Sequence, residues 1–156
     1  GETFVTKKII KALVRIKMGY QKKLILGNLD SKRDWGHARD YVEAMWKILQ
    51  QKKPNDYVIA TGKQHSIRQF INFVAKKLNM KIIWKGTGLN EVGYDVLNKK
   101  KIILVDKNYI RPLDVNTLLG NAAKARRELK WKPQINIHTL IDEMIIEEMN
   151  ILSNDQ

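Results

Sequence analysis

Five stretches of this chain carry apolar residues at helical spacing, and only four short runs between them read as strands. Residues 4 to 18 place Val5, Ile9, Leu13 and Ile16 on one face, with Thr3 as the expected N-cap. Ser66 and Gln69 form a capping box ahead of Ile67, Phe70, Ile71, Val74 and Leu78, which recur at i, i+3, i+4, i+7 and i+11. Asp40 and Glu43 make a similar pattern, so a helix is expected from Tyr41, with Tyr41, Val42, Met45, Ile48 and Leu49 on its inner face. Asn121 can cap a helix over 122 to 129, and a last helix is expected over 139 to 152. The β-type runs are 22 to 29, 57 to 60, 81 to 84 and 101 to 105, and "GTGLNEVGYD" reads as a glycine-rich loop. The order α, β, α, β, α, β, β, α, α is that of a mixed α/β fold. With so few strands for its helices, the chain is expected to be part of a larger sheet.

Composition narrows the function. The 156 residues include no Cys, so disulfides and thiolate metal sites are excluded. No apolar run is long enough for a membrane-spanning helix, and the first residues do not form a signal-peptide pattern. A cytoplasmic, membrane-free protein is the expectation. Lys and Arg number 29 against 16 Asp and Glu, a net charge of +13, which favours anionic partners. The lysine pairs are scattered, and no nucleic-acid-binding signature accompanies them. His37, His65 and His138 lack ligand spacing, so no metal is expected. Trp131, Met45, Met144 and Met149 read as core, Trp84 as a strand residue, and Arg39 as surface. Glu143, Glu147 and Glu148 read as a solvated helix face.

The informative stretch is "DSKRDWGHARDY", residues 30 to 41. Lys32, Arg33 and Trp35 stand between a strand and a capped helix. Arg111, in "YIRPLD", occupies a second loop, held extended by Pro112. Planar guanidinium groups meet phosphate oxygens two at a time, so two loop arginines suit a diphosphate clamp.

These residues resemble the GDP-mannose 4,6-dehydratases, extended short-chain dehydrogenases. The resemblance rests on "GETFVTKKI", "LGNLDSKRDWGHARDYVEAMW", "YVIATGKQHSIRQF", "WKGTGLNEVG" and "YIRPLDVNTLLGNAAKARRELKWKP", in order along nearly the whole chain. It implies that residues 1–156 are one nucleotide-sugar-binding domain, the C-terminal, substrate-binding part of the enzyme. The family binds NADP on an N-terminal Rossmann half, oxidises C4 of the mannose, eliminates water across C5 and C6, and returns the hydride to C6. Carried onto this sequence, the resemblance implies Val5 and Lys8 near the guanine. It sets Asn28 and Lys32 along the nucleotide and diphosphate, Arg33 and Arg111 on the diphosphate, and Asp114 at the ribose, where the family often has Glu.

Two family features are absent from the sequence. There is no Gly-x-Gly-x-x-Gly dinucleotide fingerprint, and none of the five tyrosines is followed four residues later by Lys. That pair would lower the phenol pKa for acid–base work. Both lie before "GETFV" in the family. Gly1 is therefore expected to lie near a truncation, the chain is expected to be inactive alone and to bind no NADP by itself, and self-association is expected. Two alternatives stay open: a fragment of another nucleotide-sugar dehydratase or epimerase, or a basic nucleic-acid-binding module.

Overall fold

The computed structural model describes residues 4–110 and 115–154. Helix α1 (Val5–Lys17) leads into β1 (Leu24–Leu26), β2 (Lys32–Arg33) and α2 (Ala38–Leu49). Then follow β3 (His65–Ser66), α3 (Ile67–Lys77), β4 (Ile82–Lys85), β5 (Val92–Asp95), β6 (Lys100–Val105), α4 (Ala123–Glu128) and α5 (Ile137–Asn154). The main sheet has the order β1-β6-β5-β4. β1 runs parallel to β6, pairing Leu24 with Ile103 and Leu26 with Val105, while β5 is antiparallel to both of its neighbours. β2 and β3 form a separate two-residue antiparallel pair, Lys32 opposite Ser66 and Arg33 opposite His65.

α1, α3 and α5 build the core with this sheet. Ile9, Leu13, Phe70, Ile71, Val74, Ile103 and Ile141 are fully buried together. Burying side chains of this size contributes roughly 1.5–3 kcal/mol each. The capping box at Ser66 is formed: its hydroxyl accepts from the Gln69 N–H at 3.1 Å, and Gln69 Oε1 accepts from the Ser66 N–H at 2.9 Å. A smaller apolar cluster joins α2, residues 57–60 and α4 through Ala44, Ala60, Ala125, Leu129 and Trp131.

Several expectations are corrected. α2 begins at Ala38, capped by His37, whose Nδ1 accepts from the Arg39 N–H at 3.1 Å. Asp40 instead turns inward, and its carboxylate accepts from the N–H groups of Gln134 and Ile135. Residues 57–60 form no strand and pair with none among the described residues. "VGYD" is not loop but β5, an inner strand of the sheet. The glycine-rich turn shrinks to the β4–β5 connection, where Gly86 has φ +78°. α5 starts two residues early, capped by Asn136, whose side-chain oxygen accepts from the N–H groups of His138 and Thr139. The Thr3 cap lies outside the described residues, and α1 starts after Phe4.

Charge placement also differs. Glu148 is not solvated: it is 1% exposed and pairs with both Lys7 and Arg15, tying α5 to α1. A buried carboxylate is tolerated only with such partners. Glu143 joins α5 to the start of α2 through His37 and Arg39. Val42, Met45, Trp46 and Leu49 of α2 are exposed, as are Val58 and Met149, so of the expected inner face of α2 only Tyr41 and Ile48 pack against the smaller cluster. Trp131 is core as expected, with its indole N–H bonded to the Asp40 carbonyl at 2.9 Å.

Candidate functional site

The first turn of α1, the end of β1, the residues around β2 and the turn at Tyr109 enclose a cavity of about 470 Å³. Val5 and Lys8 reach it from one helical turn, three residues apart and on the same side. α1 is held there by its buried middle and by Glu148.

Gly27 and Asn28 form the opposite wall where β1 ends. The sequence reading treats Gly-Asn as a turn, but Gly27 has a tighter reason. A Cβ there would collide with the backbone carbonyl of Tyr109, so only glycine lets the two segments approach. The Asn28 side-chain oxygen accepts from the Asp30 N–H at 2.9 Å, which bends the chain toward β2.

β2 then alternates its side chains. Ser31 and Arg33 face the cavity, whereas Lys32 points away, is exposed and does not line it. Lys32 is held by its backbone instead: its N–H donates to the Asn116 carbonyl at 2.8 Å and its carbonyl accepts from Leu118 at 3.2 Å. The implied diphosphate contact of Lys32 therefore has no geometric support at this cavity. Arg33 Nη1 donates to the carbonyls of Lys32 (2.8 Å) and Val115 (2.6 Å), fixing the guanidinium at the rim. Arg111 and Asp114 lie outside the described residues.

Next in sequence, the Asp34 carboxylate accepts from the Thr61 N–H (3.0 Å), the Thr61 hydroxyl (2.5 Å) and the Gly62 N–H (2.8 Å). It anchors the 57–62 segment directly behind Arg33. Trp35 lines the cavity and packs against Phe70 at 4.9 Å between ring centroids, giving the floor an aromatic surface continuous with the core.

Tyr109 was missed by the sequence reading. The Lys8 ammonium stands 3.8 Å from its ring centroid, a cation–π contact, and burial pushes the Lys8 pKa down from its ordinary value. Its sequence signal was its place two residues before Arg111. The cavity thus offers cations at two sides, an aromatic and apolar floor, and an amide. That set suits a ligand with a flat polar ring and an anionic arm.

Known proteins decide the family. The family model for GDP-mannose 4,6 dehydratase matches residues 1–144. This chain belongs to the GDP-mannose 4,6-dehydratase family. The chain is 46% identical over 155 residues to GDP-mannose 4,6 dehydratase 2 of Caenorhabditis elegans, covering 99% of this chain and 40% of that protein. It is 43% identical over 152 residues to the human GDP-mannose 4,6 dehydratase, covering 97% of this chain and 41% of that one. Against the dehydratase of Sinorhizobium fredii the identity is 46%, with 97% and 43% covered.

Among solved structures, RMD from Pseudomonas aeruginosa complexed with NADPH superposes with a TM-score of 0.76 at 20% identity, over 97% of this chain and 44% of that one. The UDP-glucose 4-epimerase of Thermotoga maritima, solved with UDP-glucose, gives 0.71 at 17% identity, over 97% and 41%. The fold is that of the C-terminal part of an extended short-chain dehydrogenase. The chain spans about two-fifths of the length of the dehydratases it matches.

Proposed function

We propose that this chain is the nucleotide-sugar-binding part of a GDP-mannose 4,6-dehydratase and that its cavity takes the GDP moiety of GDP-mannose. The observation that carries this reading is that Val5 and Lys8 from the start of α1, and Asn28 and Arg33 from the segment after β1, line one 470 Å³ cavity in a chain of this family. The guanine lies between the first turn of α1 and the end of β1, with the Lys8 ammonium and the Asn28 amide offered to its polar edge. The diphosphate runs toward Arg33; the family resemblance adds Arg111 to the diphosphate and Asp114 to the ribose, both outside the described residues. Elimination itself is work for residues this chain does not supply.

NADP is the cofactor the family implies, and its chemistry is the removal and return of a hydride. The residues of this chain do not fit it. A dinucleotide cradle needs a strand, a glycine turn and a helix N-terminus in succession. The described glycine-rich segment is a hairpin turn between β4 and β5, followed by a strand. No hydride step falls to these residues, and the chain alone is proposed to be inactive.

The exposed face of α2 and the unpaired segment 57–60 support a companion reading. They are the parts that pack on the cofactor-binding half of the enzyme, and without it the chain self-associates through them. A clean monomer in light scattering at high concentration argues against self-association. Among the described residues, no helix is long and apolar enough to cross a membrane and no metal-ligand cluster occurs.

The test is calorimetric titration with GDP-mannose, GDP and UDP-glucose, with Arg33→Ala beside the natural chain. Saturable binding of the guanine ligands only, lost in the variant, supports the reading. Equal binding of UDP-glucose transfers the chain to another nucleotide-sugar enzyme. No binding of any of them sinks the proposal for the isolated chain.

A further inference from the structure

Arg68, in the first turn of α3, meets three side chains from three parts of the chain. Its Nη1 and Nη2 donate to the two carboxylate oxygens of Glu91, at the end of the β4–β5 connection. Nη2 also donates to Asp30 Oδ1 at 2.7 Å. The guanidinium carbon stands 4.9 Å from the ring centroid of Trp84 on β4. Trp84 is itself fixed, its indole N–H donating to Asn72 Oδ1 at 3.1 Å, one turn further along α3.

The two carboxylates are not equivalent. The Glu91 side chain is 11% exposed, and a carboxylate so buried needs its cation. The two-pronged contact, with Trp84 over one face, sets the plane of the guanidinium. The Asp30 side chain is 78% exposed, and such a pair adds little to stability. What it does set is position. The N–H groups of Ile67 and Arg68, which have no partner inside the helix, donate to the carbonyls of Ser31 and Leu29, at 3.1 and 3.0 Å. Asp30 lies between those two residues, so its carboxylate is a third tie to the same helical turn. Its own N–H donates to Asn28 Oδ1 at 2.9 Å. The oxygen of the Asn28 amide is thereby spent on the turn, and the donor side, Nδ2, points elsewhere, 3.5 Å from Asn116 Oδ1. Asn28 and Ser31 line the larger cavity, whereas Asp30 and Arg68 do not.

We propose that Arg68 is a positioning residue of the nucleotide site. Through Asp30 it fixes the turn that presents Asn28 and Ser31 to the cavity, and Glu91 and Trp84 decide where the guanidinium stands. The β4–β5 hairpin, which does not line the cavity, thus helps to set its recognition groups. The role in recognition rests on the nucleotide-sugar reading; the holding of the turn does not.

The test is calorimetric titration of GDP into the natural chain, Asp30→Asn, Arg68→Lys and the two combined, with melting curves for each. Removing an exposed negative charge near a diphosphate site tightens binding if charge alone acts. Loss of position has the opposite sign. Asp30→Asn is expected to melt as the natural chain does and to bind GDP about three- to tenfold more weakly, the size of one oriented hydrogen bond. Asp142→Asn, which removes an acid paired with Lys77 outside the cavity lining, is expected not to weaken binding. Arg68→Lys keeps the charge and loses the fork, so binding falls and the Tm with it. The combined variant is expected to bind no more weakly than Arg68→Lys, because both changes break one contact. Unchanged or tighter binding in Asp30→Asn, a lowered Tm in that variant, or losses that add overturn the proposal. If the natural chain binds no GDP, amide exchange decides. Faster exchange of the Arg68 N–H in Asp30→Asn and of the Asp30 N–H in Arg68→Lys upholds the holding of the turn and fails the nucleotide-sugar reading. Unchanged exchange at both overturns the holding as well.

Discussion

The Cα of Gly27 faces the backbone carbonyl of Tyr109 so closely that no side chain fits between them. This approach seats Tyr109 over the cavity and gives Lys8 an aromatic ring to rest on. Gly27→Ala forces the two segments apart. Overpacking of this kind costs about 1–3 kcal/mol, and urea unfolding is expected to show a loss in that range together with weaker GDP binding. Natural stability and affinity in the variant would mean that the Tyr109 turn yields freely.

Asp34 tests how the site is held from behind. Its carboxylate receives the Thr61 and Gly62 N–H groups and the Thr61 hydroxyl. Asp34→Asn removes the charge and forces an amide toward donors. The expected cost is about 1–3 kcal/mol, with faster amide exchange at Thr61 and Gly62. Unchanged exchange at both amides would show that the 57–62 segment is positioned by packing instead.

Lys130 follows α4 with φ +51°, a left-handed conformation that costs a β-carbon-bearing residue energy. A glycine at such a helix end would relieve it. Lys130→Gly is expected to raise stability by about 0.5–1 kcal/mol, seen as a higher Tm. A lower Tm would mean that the Lys130 side chain contributes more than its backbone loses.

His65 makes stability pH-dependent. It stacks edge-on against Phe73, which in turn contacts His138. Burial, and then the charges of His138 and Lys63, hold its pKa below the ordinary 6.5. The unfolded chain therefore takes up the proton first as pH falls. Stability from this group is complete above pH 6.5 and declines below it until the folded state also protonates. Denaturation midpoints measured between pH 7.5 and 5 should fall less in His65→Gln than in the natural chain. Parallel curves would remove His65 as the cause.

The amphipathic helices were legible in the sequence because their burial follows one face. α1 and α3 match the reading within a residue or two, and the Ser66–Gln69 box is formed. β5 was hidden because Gly93 and Asp95 suit a turn. Inside the sheet, Gly93 lets Ile103 and Trp84 close over it, and Asp95 is buried, accepting from Leu97 and Asn98. α2 was misplaced because the Asp40 carboxylate serves residues 134 and 135, a partnership no local pattern displays. Glu148 was misread for the same reason, its cations lying more than 130 residues away. In the site, Val5, Lys8, Asn28 and Arg33 came from the family resemblance and share one cavity, while Tyr109 entered only through the fold. Lys32 was set aside by strand alternation, which spacing in a loop could not reveal.

α1 performs two tasks along one rod. Its first turn presents Val5 and Lys8, and its middle buries Ile9, Ile10, Leu13 and Val14 completely. A slip of that rod by one residue moves its tip by about 1.5 Å, more than a hydrogen bond tolerates. Truncating Ile9 or Leu13 will therefore register in a ligand assay as well as in a melting curve. In a mutational scan, positions that never touch ligand will look like recognition residues, and selection acting on ligand affinity will police the interior of this helix as strictly as its exposed end.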